Sequence, residues 1–530
     1  MKKFLQSLRA KCVAFGVAMP MAFGVINSGC TDLDTTPYSL ITPDQFFKND
    51  DEFLAAMAPV YAQLRALQWN YHNIEQHSTD ETMVPQRGGD WGDGDRWKQL
   101  HRHTWDKTHS DLNGAWADAY TGVARANSLL EALDKSTLAS AATYKAEVRT
   151  LRAFYYYTLL DMFGGVPIIK TSTVDNANLP KRNTAAEVFA FIETELKDAA
   201  AVLPTTKVHG RVNKYAAQAL LVRVYLNAQF LTGTVSSTGL TTGAARWADV
   251  TTNADAIINS GQYGLESDYF ASFLPENHAS KENIFVSANL QRAGFSNGLS
   301  FNQRQLHYNQ TLPQGAWNGF TTLAETFNKF SDADYRKNQF LIGQQCTGYV
   351  KANADGSCPA GTTKVLDRNG NPLIFTSTVA NFDAANEAEG IRVLKWGVDN
   401  GAVDGNSKND YAWVRYADIL LAKAEALNET AATNTATAAA LVNQIRTRAK
   451  LPALTAAQTA SQAALRDAIF AERGYEFVME AVRRIDLIRA NKYWQGAWQF
   501  KEKKDGFRIL YPIPQPAIDA NPNLTQNAGY

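Results

Sequence analysis

Charge of one sign is what this 530-residue sequence lacks: 52 Lys and Arg face 52 Asp and Glu, and no basic run stands out. Without a positive stripe there is no electrostatic footprint for a phosphate backbone, so nucleic acid is not an expected partner. Cysteine is scarce, with four in all, which excludes a disulfide-dense scaffold. Beyond the first thirty residues no apolar run approaches the roughly 18 residues of a membrane-spanning helix, so the mature chain can reach a membrane only by an anchor or a partner. His-Glu-x-x-His and Cys-His metal patterns are missing, and neither a metal nor a cofactor is expected. What remains is ordinary globular composition, 45% apolar and 20% charged, which leaves no room for wholesale disorder.

The first thirty residues stand apart. Lys2, Lys3, Arg9 and Lys11 precede an apolar run from Cys12 to Ile26, followed by Ser28, Gly29 and Cys30. That order is a secretory signal peptide's, assigned to residues 1–29. Its removal leaves 48 cations against 52 anions, a slightly acidic protein of net charge about −4. Ser-Gly-Cys resembles a lipobox, in which the thiol of Cys30 is acylated and becomes the mature N-terminus, although Asn27 stands where such boxes carry an aliphatic residue. Several acyl chains hold firmly where one binds marginally. Thr31, Asp32, Leu33 and Asp34 then open a tether to residue 48, resembling a surface-export signal of Bacteroidetes-type lipoproteins; a plain polar tether is the alternative. Cys346 and Cys358 are left for structure, twelve residues apart across a Gly/Asn/Asp loop, and an exported chain sees an oxidising compartment. A local disulfide is expected, against two buried free thiols.

Helical periodicity dominates the mature chain. Over residues 184–203, Thr184 and Glu187 form a capping box, and Val188, Ile192, Leu196, Ala199 and Leu203 recur at spacings of three and four before Pro204. The preceding helix, 144–163, ends at Gly164, Gly165 and Pro167. Further helices are expected over 213–230, 247–260, 413–429 and 437–449. Paired helices recurring in this way predict stacked helix-turn-helix units, a mostly α fold. Residues 80–111 and 277–409 break the pattern and are rich in Gly, Asn, Asp and aromatics; loops that long are usually functional.

The C-terminal third carries distinctive text. ALRDAIFAERGYEFVMEAVRRIDLIR, ending at Arg489, resembles the C-terminal signature helix of the SusD/RagB family, and Tyr511-Pro-Ile-Pro-Gln-Pro with Asn521 to Tyr530 resembles that family's closing segment. Trp413 to Leu421, Ala424-Glu-Ala, Phe154 to Pro167 and Gly210 to Leu226 extend the likeness over nearly the whole mature chain. Read from the residues alone, Phe477, Ala481, Ile485 and Ile488 form a buried stripe with Glu480 and Arg484 as an i,i+4 pair. Arg473, Glu476, Glu480, Arg483 and Asp486 read as a structural charge network. The resemblance implies four tetratricopeptide-like helix pairs and an irregular ligand-carrying part. It divides the chain into an N-terminal helical region 49–276 with a binding loop 80–111, a variable insertion 277–409 and a C-terminal helical region 410–530. It also implies a lipid-anchored outer-membrane protein facing the cell exterior, which captures oligosaccharides, or in some members peptides, for a SusC-like TonB-dependent transporter.

Sugars are held by stacking on aromatic rings while Asn, Asp and Arg satisfy hydroxyls. On that ground Trp91, Trp97, Tyr308 and Trp317 are expected as stacking platforms, and Asp80, Asp90 and Asn318 as hydrogen-bonding groups. No catalytic residue is expected. His101, His103 and His109 read as satisfied loop histidines, and Asp332, Asp334 and Arg336 as a structural turn. Two other functions remain open at this level: a secreted glycoside hydrolase, which needs a carboxylate pair that the sequence does not single out, and a helical-repeat scaffold that binds only protein.

Overall fold

The computed structural model describes residues 47–291, 301–313, 315–403 and 406–530. The expected signal peptide, Cys30 and most of the expected tether lie outside the described residues.

Asn49 caps the first long helix, Asp50–His77, through its side chain, with Asp50, Asp51 and Glu52 in the first turn complementing the helix dipole. Ser110–Asp134 packs on it, and Ala141–Phe163 packs on that in turn. Gly164, at φ 72°, stops the latter helix. The Thr184–Glu187 capping box starts Ala185–Val202, and Asn213 caps Lys214–Leu226. Trp247–Asn259 follows, and then, after a long irregular passage, Tyr416–Thr430 and Thr435–Arg448. Each of these eight helices packs against the next, including Trp247–Asn259 against Tyr416–Thr430. The result is a row of four helix pairs that the irregular passage interrupts without breaking. Ala141–Phe163 has the most central position, buried from Val148 to Phe163 except at Arg149.

Among its described residues, the strands of the irregular passage form only short antiparallel pairings. Asn283–Ser287 pairs with Tyr411–Arg415 and brings its two ends together. Phe340–Leu341 pairs with Arg392–Val393, and Gly343–Gln344 with Ile374–Phe375. Thr82–Met83 pairs with Thr321–Thr322, so the two irregular stretches are joined by main chain between residues more than two hundred positions apart. The Cys346–Cys358 disulfide closes a loop of this passage, with Cα atoms 5.8 Å apart.

The signature stretch is not one helix. It divides into Gln462–Glu476 and Arg483–Arg489, with Met479 and Ala481 at positive φ between them. Phe477, Ala481, Ile485 and Ile488 are buried, but the i,i+4 pairing of Glu480 with Arg484 is replaced, because the turn sends the two side chains to different partners. Glu480 meets Lys395 and Arg415, while Arg484 meets Glu75 and Asp161.

The reason for the break is a buried ionic cluster. Arg415, at the junction of strand and helix, contacts Glu282, Glu476 at 3.1 Å and Glu480 at 2.7 Å. Arg336 reaches Glu472 at 2.7 Å, Asp334 at 2.9 Å and Glu476 at 3.1 Å. Arg448 bridges Glu282 and Glu476, Lys395 meets Glu480, and Arg446 meets Glu472 at 3.2 Å. Five cations thus meet five carboxylates, and Glu476 at the centre has no solvent exposure. Burial pushes its carboxyl up, but Arg448, Arg415 and Arg336 outweigh that and hold it well below the usual range.

Removing one partner of such a cluster strands the others without water, at a cost of about 3–5 kcal/mol. Glu476→Gln is expected to lower the urea midpoint accordingly at pH 7. The folded-state pKa lies below the unfolded one, so this contribution is complete above the unfolded value of about 4.3 and fades as pH falls through the folded value. The gap between wild type and Glu476→Gln in urea unfolding should therefore be full at pH 6 and shrink as the pH is taken below about 4; a gap that widens on acidification would refute this sign.

Candidate functional site

The pairing of Thr82–Met83 with Thr321–Thr322 sets residues 86–97 beside residues 303–308 and 317–320. Arg87 and Asp90 exchange main-chain hydrogen bonds at 3.0 Å each, closing a tight turn over Gly88 and Gly89. Trp91 follows at φ 62°, in the left-handed region that costs a bulky residue roughly 1–3 kcal/mol. Two contacts hold it there. Its indole Nε1 donates to the Trp317 carbonyl at 2.8 Å, and its ring lies on the backbone of Gly319, where a Cβ would come within 2.2 Å of the ring. Only glycine at 319 leaves room for that ring.

On the other side, the short helix Phe301–Gln305 and the residue after it carry main-chain acceptors for the segment that returns past them. Trp317 donates to Gln303, Asn318 to Leu306, and Gly319 to Arg304, at 2.6 to 2.8 Å. This folds Trp317 outward, 37% exposed, while Tyr308 is half-buried. The Tyr308 hydroxyl donates to the Asp90 carboxylate. Trp91, Trp317, Tyr308 and Asp90 therefore come together, two from each irregular stretch, at one surface.

Three of the expected site residues lie elsewhere in role. Trp97 is 1% exposed: it packs edge-on against Phe320 and His77, and its Nε1 donates to Asp93 at 2.6 Å. It supports Trp91, whose ring centroid is 5.8 Å away, and offers no face to a ligand. Asp80 spends both oxygens on Arg483, at 2.7 and 2.8 Å, and on Lys329 at 3.0 Å, so it is a structural anion. Asn318 is fully buried, donating to the Glu387 carbonyl and accepting from Arg392. Its amide braces the floor of the site.

Sequence reasoning passed over two residues at the same surface. Arg368 stacks on the Tyr308 ring, 4.2 Å from its centroid, and pairs with Glu387 at 2.6 Å. Burial pushes the Glu387 carboxyl up, but the Arg368 backbone N–H and guanidinium outweigh it and keep the group below the usual range. Both residues lie in stretches with no periodicity, and the only available signal was the turn text Asp367-Arg-Asn-Gly. Beneath them Arg87 and Arg392 are buried and donate to carbonyls, Arg87 to Asn386 and Glu389, Arg392 to Glu387, Glu389 and Gly390.

The histidines are dispersed. His101 Nε2 bonds with the Gln499 carbonyl at 2.7 Å, His103 with Ser78 at 2.8 Å and His109 with Arg96 at 3.0 Å. Among the described residues no group of His, Cys, Asp and Glu is placed to hold a metal ion, and no helix is long and apolar enough to cross a membrane. Asp334 caps its own turn and receives Arg336.

This surface has one open aromatic face at Trp317, a carboxylate, and a guanidinium paired to a second carboxylate. Such a set can stack an apolar ring face and satisfy hydroxyls around it. Comparison with known proteins points the same way. Residues 281–530 match the SusD family, and residues 33–226 match a family described as starch-binding associating with outer membrane. The SusD-like protein P2 of Formosa agariphila is 25% identical over 95% of this chain and 97% of its own. The starch-binding protein SusD of Bacteroides thetaiotaomicron is 25% identical over 86% of this chain and 85% of its own. In three dimensions, a SusD-like protein of Bacteroides fragilis superposes with a TM-score of 0.73 at 23% identity, covering 92% of this chain and 99% of its own. A surface glycan-binding protein of Bacteroides thetaiotaomicron in complex with laminarihexaose gives 0.68 at 23% identity, covering 90% and 99%. With family matches over residues 33–226 and 281–530, the chain belongs to the SusD/RagB family.

Proposed function

We propose that this protein is a non-enzymatic, cell-surface lipoprotein that captures oligosaccharides and hands them to a SusC-like TonB-dependent transporter of the outer membrane. The observation that carries the binding role is the 37% exposed Trp317, whose main-chain carbonyl holds the Trp91 indole, on the surface that also carries Asp90, Arg368 and Glu387. Two of the proteins similar to this chain are described as binding starch and laminarihexaose, which supports a glycan as the ligand class. Trp91 is the second aromatic of the platform, and Asp90 the acceptor for a hydroxyl. Anchoring at Cys30 follows from the lipobox-like Ser-Gly-Cys at the end of the leader.

A hydrolase reading has little support at this surface. A general acid needs a carboxyl raised toward neutrality, whereas Glu387 is held low by Arg368, and Asp90 already accepts from Tyr308.

Titration of the mature protein with laminarihexaose and with maltohexaose should detect binding, and Trp317→Ala should weaken it by about 1 kcal/mol or more, roughly fivefold. Equal affinity in wild type and variant would remove Trp317 from the site. Incubation with the bound glycan should release no new reducing ends; release at catalytic rates would sink the binding-only reading. Cys30→Ser should move the protein from the outer-membrane fraction to the soluble one, and continued membrane retention would count against the anchor.

A further inference from the structure

Arg368 differs from the other guanidiniums around this surface in how its hydrogen bonds are used. It stands at the tip of a tight hairpin between Leu366 and Pro372. Asp367 shapes that tip by accepting from the backbone of Asn369 and Asn371 at 2.9 and 2.8 Å, and Gly370 takes the left-handed turn position at φ 83°. Behind the tip, Gly343–Gln344 pairs with Ile374–Phe375, Cys346 bridges to Lys364, and the Cys346–Cys358 disulfide closes the adjoining loop. This arm is fastened to the segment bearing Tyr308 and Trp317 at two points. Asn309 Nδ2 donates to the Leu366 carbonyl at 2.9 Å, and the Tyr349 hydroxyl donates to the Thr311 carbonyl. A small apolar core of Leu306, Leu312, Ala316, Leu341, Val365 and Leu373 fills the space between arm and segment.

Held in this way, the Arg368 side chain has little freedom left. Its backbone N–H and Nε donate to the two oxygens of Glu387 at 3.0 and 2.6 Å, and its plane rests on Tyr308. Its terminal nitrogens make no hydrogen bond to a described residue: Nη1 keeps only a long ion pair with Asp90, at 3.9 Å. The side chain is 52% exposed. Four N–H donors therefore remain without a hydrogen-bond partner in a guanidinium plane fixed by Glu387 and Tyr308. Arg87, Arg368 and Arg392 are set against four carboxylates, Asp90, Asp367, Glu387 and Glu389, so the surface offers no net attraction to an anion.

We propose that Arg368 is a further ligand-binding residue that sets specificity, its two terminal nitrogens clamping adjacent hydroxyls of a neutral sugar. Tyr308 then serves as the platform for the guanidinium, not for the sugar. This assignment rests on the glycan-binding reading above. It places the charged contact on the disulfide-closed arm, opposite the main-chain turn that carries Trp91.

Calorimetric titration of the full mature protein with laminarihexaose, maltohexaose and an oligogalacturonate of equal length tests it. Arg368→Ala should weaken binding of the neutral hexaose at least about tenfold, as expected for loss of a charge-assisted pair, with the thermal midpoint unchanged. Arg368→Lys should fail to restore it, because an ammonium lacks the planar fork, and Tyr308→Phe should retain most of the affinity because the ring under the guanidinium remains. Binding by Arg368→Ala within twofold of wild type, while Trp317→Ala still loses affinity, would overturn this assignment and leave the glycan site standing. Tighter binding of the oligogalacturonate than of either neutral hexaose would overturn the neutral-sugar part. Absence of any glycan binding by wild type would overturn the glycan-binding reading, and this assignment with it.

Discussion

The buried pairing of Arg415 with Glu476 and Glu480 is the constraint on which the rest of the fold depends. Arg415 ends the strand that leaves the irregular passage and immediately precedes the helix Tyr416–Thr430 that resumes the helical row. Glu282, one of its partners, stands at the opposite end of that passage, beside the strand Asn283–Ser287. One guanidinium therefore fixes both ends of an excursion more than a hundred residues long. Arg336 and Lys395, from inside the excursion, reach the same carboxylates. Desolvating this many charges is costly, and only mutual pairing offsets it. The arrangement has few alternatives, since a shift that breaks one pair leaves a bare charge in the core.

That constraint explains how an irregular region can hold a precise surface. The passage has little regular secondary structure among its described residues, so its main chain cannot position side chains by periodicity. It is positioned by pinning: ionic at the base, through two short strand pairings in the middle, and by a disulfide-closed arm at the edge. Trp91 shows the result most clearly. A tryptophan at φ 62° is held by one indole hydrogen bond and by the missing side chain of Gly319. Strain of that kind persists only where its surroundings over-determine it.

Much of the scaffold was legible because helices are local. The capping box at Thr184, the Gly164 stop and the apolar spacing over 184–203 depend on residues within a turn or two of each other, and the elements form where that chemistry predicts. The signature stretch misled for the opposite reason. Its apolar stripe is real, but Met479 and Ala481 turn left-handed so that Glu480 can face Lys395 and Arg415, distant partners that no local pattern registers. The aromatic residues of the irregular stretches were recognisable as a class. Which of them face solvent was not: Trp91 and Trp97 sit six positions apart in the same Gly- and Asp-rich text, yet one lies at the surface and the other is sealed in the core.

The sequence by itself determined the helical scaffold, the balance of charge and the two stretches that break the helical pattern, because each is written in composition or in contacts a few residues apart. Only the tertiary structure decided the surface itself. The joining of residues 82–83 to 321–322, the burial of Trp97, Asp80 and Asn318, and the stacking of Arg368 on Tyr308 all depend on pairs separated by tens to hundreds of residues. Such pairings follow from which buried charges and hydrogen bonds can all be satisfied at once, a condition on the whole chain and not on any window of it.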